Sequence, residues 1–180
     1  MKKKTFAVGI SLVCALLLMG CSIAGAGTSK KSDTEQAEAI QYTIADADEL
    51  IGKADSDIAD VFGGGEENWT SDKSTYIGRM YQTELYGESV TIHAVCGGEK
   101  TVDAVSIWIT DGGQEVADEL VQTWQDRVTA FTGTEMQDQG IAEESGAKSW
   151  KWPASDRFYT LRLMGNILTL DINPAVGGIK

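Results

Sequence analysis

Histidine and cysteine are scarce in this chain of 180 residues, which contains one His and three Cys. This scarcity excludes most zinc-site patterns, because these need several such ligands at set spacings. Proline is also rare, with 2 residues, whereas there are 20 glycines. A chain of this length, 42% hydrophobic and 23% charged, fits one small globular domain with a tail. We therefore expect a single domain with no metal and no other cofactor.

Positive charge is also in short supply. The chain has 15 basic and 27 acidic residues, a formal net charge of −12. Nucleic-acid binding needs clustered Lys and Arg for phosphate contacts, and docking on anionic lipid through a basic patch needs the same. The composition therefore excludes a nucleic-acid partner and argues against lipid binding through a basic surface.

The N-terminus has the pattern of a secretory signal. Lys2, Lys3 and Lys4 precede an apolar stretch from Phe6 to Met19, which is shorter than the roughly 20 apolar residues of a membrane-spanning helix. The stretch ends in the tetrapeptide Leu-Met-Gly-Cys at positions 18–21, which resembles the lipobox of bacterial lipoproteins. The alternatives are an ordinary signal peptide cut nearby and an uncleaved anchor.

The lipoprotein resemblance has consequences for the mature chain. It implies that residues 1–20 are a signal peptide, that Cys21 is lipidated, and that the protein is held at the cell membrane on the extracytoplasmic side. Two or three acyl chains anchor a protein stably, whereas one does so only marginally. Removal of residues 1–20 leaves 12 basic against 27 acidic residues, a formal charge of −15. Cys96 is then the one remaining thiol, and we expect it to be a small buried residue.

A flexible tether is expected after the lipidated cysteine. Residues 22–39 are rich in Ser, Gly, Ala and charged side chains and have almost no large apolar residue. We assign residues 21–45 to the tether and residues 46–180 to one globular domain. Two short helices are predicted at its start, one capped by Asp46 and one from Asp55 to Phe62 that ends at three glycines.

The middle of the chain alternates strand and helix patterns. Three runs, Tyr76–Tyr86, Val90–Cys96 and Val102–Thr110, predict an antiparallel meander because they are β-branched or aromatic and separated by glycines. A long amphipathic helix is predicted from Gln114 to Thr132, with Gly133 as its C-cap. Its apolar stripe is formed by Val116, Leu120, Trp124, Val128 and Phe131.

The end of the chain predicts a loop, a strand and a hairpin. Residues 135–148 are polar and read as a loop, and Ser149–Trp152 as a strand that Pro153 ends. If Gly165 and Asn166 form a two-residue turn, the register of the hairpin follows. The expected facing pairs are Leu163 with Leu168, Leu161 with Leu170 and Tyr159 with Ile172, all on one face.

These elements sum to an α+β fold. We expect an antiparallel sheet of about five to six strands, with short N-terminal helices and one long amphipathic helix packed on one face. The stretch from Asp57-Ile58 to Phe62-Gly63 ahead of a meander is similar to small α+β domains of outer-membrane-assembly lipoproteins and of β-lactamase inhibitor proteins. This resemblance implies the fold alone.

No set of residues in the sequence predicts catalysis or metal binding. Ser145 to Lys148 spells S-x-x-K, but the motif contains a glycine in a polar loop and the companion motifs of that enzyme class are missing. His93 lies in a strand with no Ser or Cys that the sequence pairs with it. Asp55, Asp57 and Asp60 have the spacing of a helix N-cap and of the solvent-facing side of that helix, rather than the spacing of a calcium-binding loop.

The tryptophans are the more informative residues. Trp124 and Trp108 are expected in the core. Trp150 and Trp152 alternate and so share one face, and Trp69 lies in a loop. Exposed Trp is favoured in protein and sugar contacts, so these three form our candidate binding surface. The alternative is that they cover the sheet edge and pack on the helix.

The sequence favours a membrane-tethered, non-enzymatic binding or scaffold lipoprotein of the bacterial cell envelope. The expected partner is an envelope protein, and a glycan or peptide is less favoured. The alternative is a small envelope enzyme or an enzyme inhibitor with a carboxylate-based or cryptic site. A deep pocket with two facing carboxylates would favour the enzyme.

Overall fold

The computed structural model describes residues 41–175, which form one eight-stranded antiparallel sheet with helical segments on one of its faces. The strands are β1 (Glu66–Trp69), β2 (Tyr76–Leu85), β3 (Glu88–Cys96), β4 (Val102–Trp108), β5 (Gln137–Ile141), β6 (Lys148–Pro153), β7 (Arg157–Met164) and β8 (Ile167–Pro174). The α-helices are α1 (Ile44–Asp48) and α2 (Asp118–Thr132), and two 3₁₀ turns lie at Asp55–Asp57 and Val61–Gly63. Among residues 41–175, no helix is long and apolar enough to cross a membrane.

The sheet consists of two four-stranded meanders. The strand order is β1-β2-β3-β4-β8-β7-β6-β5, so the meanders β1–β4 and β5–β8 join where β4 pairs with β8. The predicted sheet of five to six strands with several N-terminal helices is therefore wrong. The sequence pattern missed β1 and β5 because both are edge strands whose side chains are mostly exposed, which leaves no apolar alternation to detect.

The N-terminal helices also differ from the prediction. Thr43 rather than Asp46 is the N-cap of α1, and the Thr43 backbone N–H donates to the Asp46 carboxylate at 2.7 Å. The predicted second helix is instead the two 3₁₀ turns, which residues 58–60 separate, and within the second turn Phe62 has a φ of 55°. The ring of Phe62 is buried between aromatic neighbours, and this packing holds a conformation that a β-carbon disfavours.

The globular domain begins earlier than residue 46. Tyr42 forms a β-bridge with Leu85, and Ile44 is fully buried in the core. The last residues of the predicted tether therefore belong to the domain. Cys21 and the rest of the predicted tether lie outside the described residues.

The hairpin and the meander follow the sequence prediction. Strands β7 and β8 pair with Leu163 opposite Leu168, Leu161 opposite Leu170 and Tyr159 opposite Ile172, as the turn at Gly165 and Asn166 requires. Strands β2, β3 and β4 form the predicted meander. Helix α2 starts four residues later than predicted and ends at Gly133, whose φ of 63° is the expected left-handed C-cap.

The core lies on the face that the helical segments cover. Val121, Trp124 and Val128 of α2 pack on this face together with Ile44 and Leu50 of the N-terminal segment. The sheet contributes alternate residues, among them Tyr81, Ile92, Ile107, Leu161, Leu168 and Leu170, all fully buried. The opposite face of the sheet has no helix on it in the described part of the chain.

Candidate functional site

The three predicted surface tryptophans do not form one surface. Trp150 is 4% exposed and Trp152 is fully buried, and the Trp152 indole N–H donates to Thr129 Oγ1 of α2 at 2.9 Å. Trp69 is 39% exposed but belongs to β1, at the far end of the strand order from β6. The structure thus agrees with the alternative for β6, in which the indoles pack on the helix.

Trp108, which the sequence analysis placed in the core, is 40% exposed on the uncovered face. Its neighbours Val105 and Ile107 point into the core, so strand alternation turns Trp108 the other way. Its indole lies beside the His93 imidazole, with 5.6 Å between the ring centroids. The alternation of Val105, Ile107 and Ile109 was the signal that could have predicted this placement.

Trp108 belongs to a broad surface that we call the open face, formed by the outward side chains of β3, β4, β8 and β7. These are Ser89, Thr91, His93 and Val95; Ala104, Ser106 and Trp108; Ile167, Thr169, Asp171 and Asn173; and Phe158, Thr160, Arg162 and Met164. On these four strands the charged outward residues are Asp171 and Arg162, with Asp171 Oδ2 3.4 Å from Arg162 Nη1. The open face therefore has few charges of its own in a strongly acidic chain, and at its edge the Lys151 ammonium of β6 lies over the Phe158 ring, 4.1 Å from the centroid.

A cavity of about 650 Å³ continues the open face at the start of β3 and the end of β4. Thr91 and Trp108 line it on the sheet side. The other wall comes from residues 109–117, which lead from β4 to α2. Trp108 thus stands at the border between a flat surface and a concave one.

The open face brings a histidine, a serine and an aspartate into one row, but in an order that does not suit acyl transfer. His93 is opposite Ser106 on β4, and Ser106 is opposite Asp171 on β8. A nucleophilic serine needs the histidine between itself and the carboxylate. Here the Ser106 hydroxyl donates directly to Asp171 Oδ1 at 2.7 Å. Burial lowers the pKa of His93, which keeps the imidazole neutral at pH 7.

A second cavity, the helix groove, has a volume of about 450 Å³ and lies between α2, β5 and β6. Asp118 of α2 and Asp138 of β5 line it, but both residues are exposed, and Asp138 Oδ1 accepts a hydrogen bond from the Gly140 backbone N–H at 2.8 Å. The groove therefore differs from the deep carboxylate pocket that would favour an enzyme. Gln125 also lines it and is only 9% exposed. The sequence analysis singled out none of these three residues as a site, because Asp118 and Gln125 fall on the polar side of the predicted amphipathic helix and Asp138 in a polar loop.

The remaining sequence candidates are structural or isolated. Asp55 is 7% exposed and is held by Tyr76 and Arg79 rather than lying in a wet helix cap. Burial raises the pKa of the Cys96 thiol, so it is protonated at neutral pH. Within residues 41–175 no group of three or more His, Cys, Asp or Glu side chains has a geometry that could hold a metal ion.

Comparison of the chain with protein-family models, with curated proteins and with solved structures finds no match.

Proposed function

We propose that this protein is a membrane-tethered, non-enzymatic binding lipoprotein of the bacterial cell envelope, which binds a partner protein through the open face. The observation that carries the proposal is the open face itself. It is a sheet surface that no described helix covers, with an exposed Trp108 and one ion pair, Asp171 with Arg162, on its four strands. The cores of protein interfaces are depleted of charged residues and enriched in Trp, Met and Arg. The open face has all three, with Met164 and Arg162 on β7.

The cavity next to Trp108 strengthens the proposal. Interface hot spots are large aromatic or Arg side chains beside pockets that the partner fills. Trp108 and the apolar Val116 and Leu120 line this cavity, so a partner side chain can enter it and contact the indole. The chain is strongly acidic outside the open face, and this acidity disfavours nonspecific association with other acidic proteins.

Replacement of Trp108 by alanine is expected to weaken partner binding at least about 30-fold, the effect of a hot spot of 2 kcal/mol or more. A photo-crosslinking amino acid at Thr169, next to Trp108 on the open face, identifies the partner in living cells of the native organism. We expect one discrete crosslinked protein from Thr169, and its loss in the Trp108→Ala background.

The matched control is Trp69→Ala, because Trp69 is 39% exposed against 40% for Trp108 but lies off the open face. It should leave the crosslink at Thr169 unchanged. A second crosslinker at the exposed Asp126 of α2 should not capture the same protein. Equal capture from Asp126, or equal loss with Trp69→Ala, contradicts binding through the open face.

Anchoring through Cys21 is tested separately. Replacement of Cys21 by alanine is expected to move the protein from the membrane fraction to the soluble fraction and to remove the acyl mass from its N-terminal peptide, because the lipid supplies the membrane affinity. Fractionation and mass spectrometry measure both. Cys96→Ala, which removes the other thiol expected in the mature chain, should leave both unchanged. Wild-type membrane retention of a Cys21→Ala protein that has lost residues 1–20, or a wild-type N-terminal peptide without an acyl mass, contradicts lipid anchoring.

A further inference from the structure

The helix groove combines apolar walls with polar side chains from α2, β5 and β6. Met136, Trp150 and Leu163 form its apolar side. Its polar side is formed by Asp118, Gln122, Gln125, Asp138 and Lys148. A concave, partly apolar site with a few convergent polar groups is the usual form of a ligand site.

Gln125 is the most informative residue in the groove. It is 9% exposed, and its side-chain amide makes no hydrogen bond with another described residue. The amide atoms keep some exposed surface although the residue as a whole is buried, so the amide opens into the groove, where a ligand can reach it. Asp118, Gln122 and Gln125 follow each other at spacings of four and three residues and lie on one stripe of α2. The amide therefore belongs to a polar stripe that lines the groove.

The charges in the groove favour a cationic ligand. Asp118 lies on the helix wall and Asp138 on the strand wall, so carboxylates come from two elements. The Lys148 ammonium lies over the Trp150 ring, with Nζ 5.0 Å from the ring centroid. Two carboxylates against one ammonium leave the groove with a net negative charge.

The strand that borders the groove is open to pairing. β5 is an edge strand that pairs only with β6 in the described part of the chain. An extended peptide can lie along such an edge and place alternate side chains on the covered side of the sheet, where the groove is. The methylene stem of a long side chain would contact Met136 and Leu163.

We propose that the helix groove binds the arginine side chain of an extended peptide, with the guanidinium between Asp118 and Asp138 and hydrogen-bonded to Gln125. A guanidinium has five donors in a fixed fork and no acceptor, which suits two carboxylates and one amide oxygen. This site lies on the covered side of the sheet and is separate from the open face, so it does not rest on the proposed function.

The test uses the full chain, ¹⁵N-labelled in detergent micelles, and two probes of nearly equal shape. Nα-acetyl-arginine amide carries the guanidinium, and Nα-acetyl-citrulline amide replaces it with a neutral urea. We expect saturable shifts of the Gln125 side-chain amide and of β5 amides with the arginine probe. Binding of the citrulline probe should be at least tenfold weaker. Equal affinity for both probes, shifts elsewhere in the protein, or no saturable shift up to 50 mM probe overturns the proposal.

Variants separate the groove from the general acidity of the chain. Asp118→Asn with Asp138→Asn should lower the affinity for the arginine probe at least fivefold, and both residues are exposed, so folding should be kept. Glu119→Gln with Glu143→Gln removes the same charge from exposed positions outside the groove and should change affinity less than twofold. Gln125→Met should weaken binding, and Gln125→Glu should strengthen it. Equal effects of the two double variants overturn the proposal.

Discussion

Replacement of Trp152 by alanine is expected to lower the free energy of unfolding by about 3–5 kcal/mol, the usual effect of removing a fully buried aromatic side chain. Trp152 has no exposed surface, and its indole N–H donates to Thr129 Oγ1 of α2 at 2.9 Å. The substitution opens a cavity between β6 and α2 and removes a hydrogen bond across the same contact. Urea denaturation followed by far-UV circular dichroism measures the change.

The size of this effect has a bearing on binding experiments. A domain of this size has a free energy of unfolding of about 5–15 kcal/mol, so the variant loses a large part of its stability. Loss of a partner in Trp152→Ala would therefore report unfolding and not a binding surface. Trp108→Ala, at an exposed position, does not have this problem.

Trp69→Ala serves as the control for Trp152→Ala. The Trp69 indole N–H donates to Glu67 at 3.1 Å at an exposed edge, and the ring contacts Tyr76. We expect a clearly smaller loss than in Trp152→Ala, because the Trp69 ring is 39% exposed and its hydrogen bond is at the surface. A loss in Trp152→Ala no larger than in Trp69→Ala would contradict the packing of β6 against α2.

Local patterns in the sequence were sufficient where a short segment determines its own structure. The register of β7 and β8 follows from the two-residue turn at Gly165 and Asn166 and from apolar alternation on both strands. The C-terminal end of α2 follows from Gly133, which adopts the left-handed conformation. In both cases the residues that decide the structure are within a few positions of each other.

The sequence-based prediction failed where contacts with residues distant in the sequence determine the secondary structure or the burial of a side chain. β5 is built from Gln137–Ile141, all exposed, and is a strand only because β6 pairs with it. The burial of Trp150 and Trp152 depends on where α2 lies, which alternation within β6 does not reveal. The candidate sites on the open face and in the helix groove each combine several elements, so they became visible only with the strand order.

The contacts of Asp55 also depend on residues distant in the sequence, Tyr76 and Arg79. Replacement of Asp55 by alanine is expected to lower the free energy of unfolding by about 3–5 kcal/mol at pH 7. Its carboxylate accepts hydrogen bonds from the Tyr76 hydroxyl and from Arg79 Nη2, the latter at 2.9 Å. Arg79 Nε also lies 2.9 Å from Asp55 Oδ1, without hydrogen-bond alignment. Without Asp55 the largely buried guanidinium keeps only the Gly65 carbonyl, at 3.0 Å, as a hydrogen-bond partner within residues 41–175.

The contribution of Asp55 should depend on pH. Burial alone raises the pKa of Asp55, but the hydrogen bonds from Tyr76 and Arg79 and the charge of Arg79 outweigh burial and place the pKa below its ordinary value of 3.8. A carboxyl whose pKa is lower in the folded state stabilises the fold above its unfolded pKa and loses this contribution as the pH falls through the folded value. The difference between wild type and Asp55→Ala should therefore be constant from pH 7 to 5 and should shrink below about pH 4.

Two further variants identify the source of the loss. Asp57→Ala removes an exposed acid from the same 3₁₀ turn and should have little effect on the free energy of unfolding at pH 7. Asp55→Leu combined with Arg79→Met replaces the whole pair by apolar side chains, which is often neutral for buried ion pairs, whereas removal of one partner leaves the other charge without compensation. If the loss in Asp55→Ala comes mainly from the uncompensated Arg79, the double variant should recover most of the stability at pH 7. A double variant as unstable as Asp55→Ala would show instead that the ion pair and its Tyr76 hydrogen bond stabilise the fold more than apolar packing can.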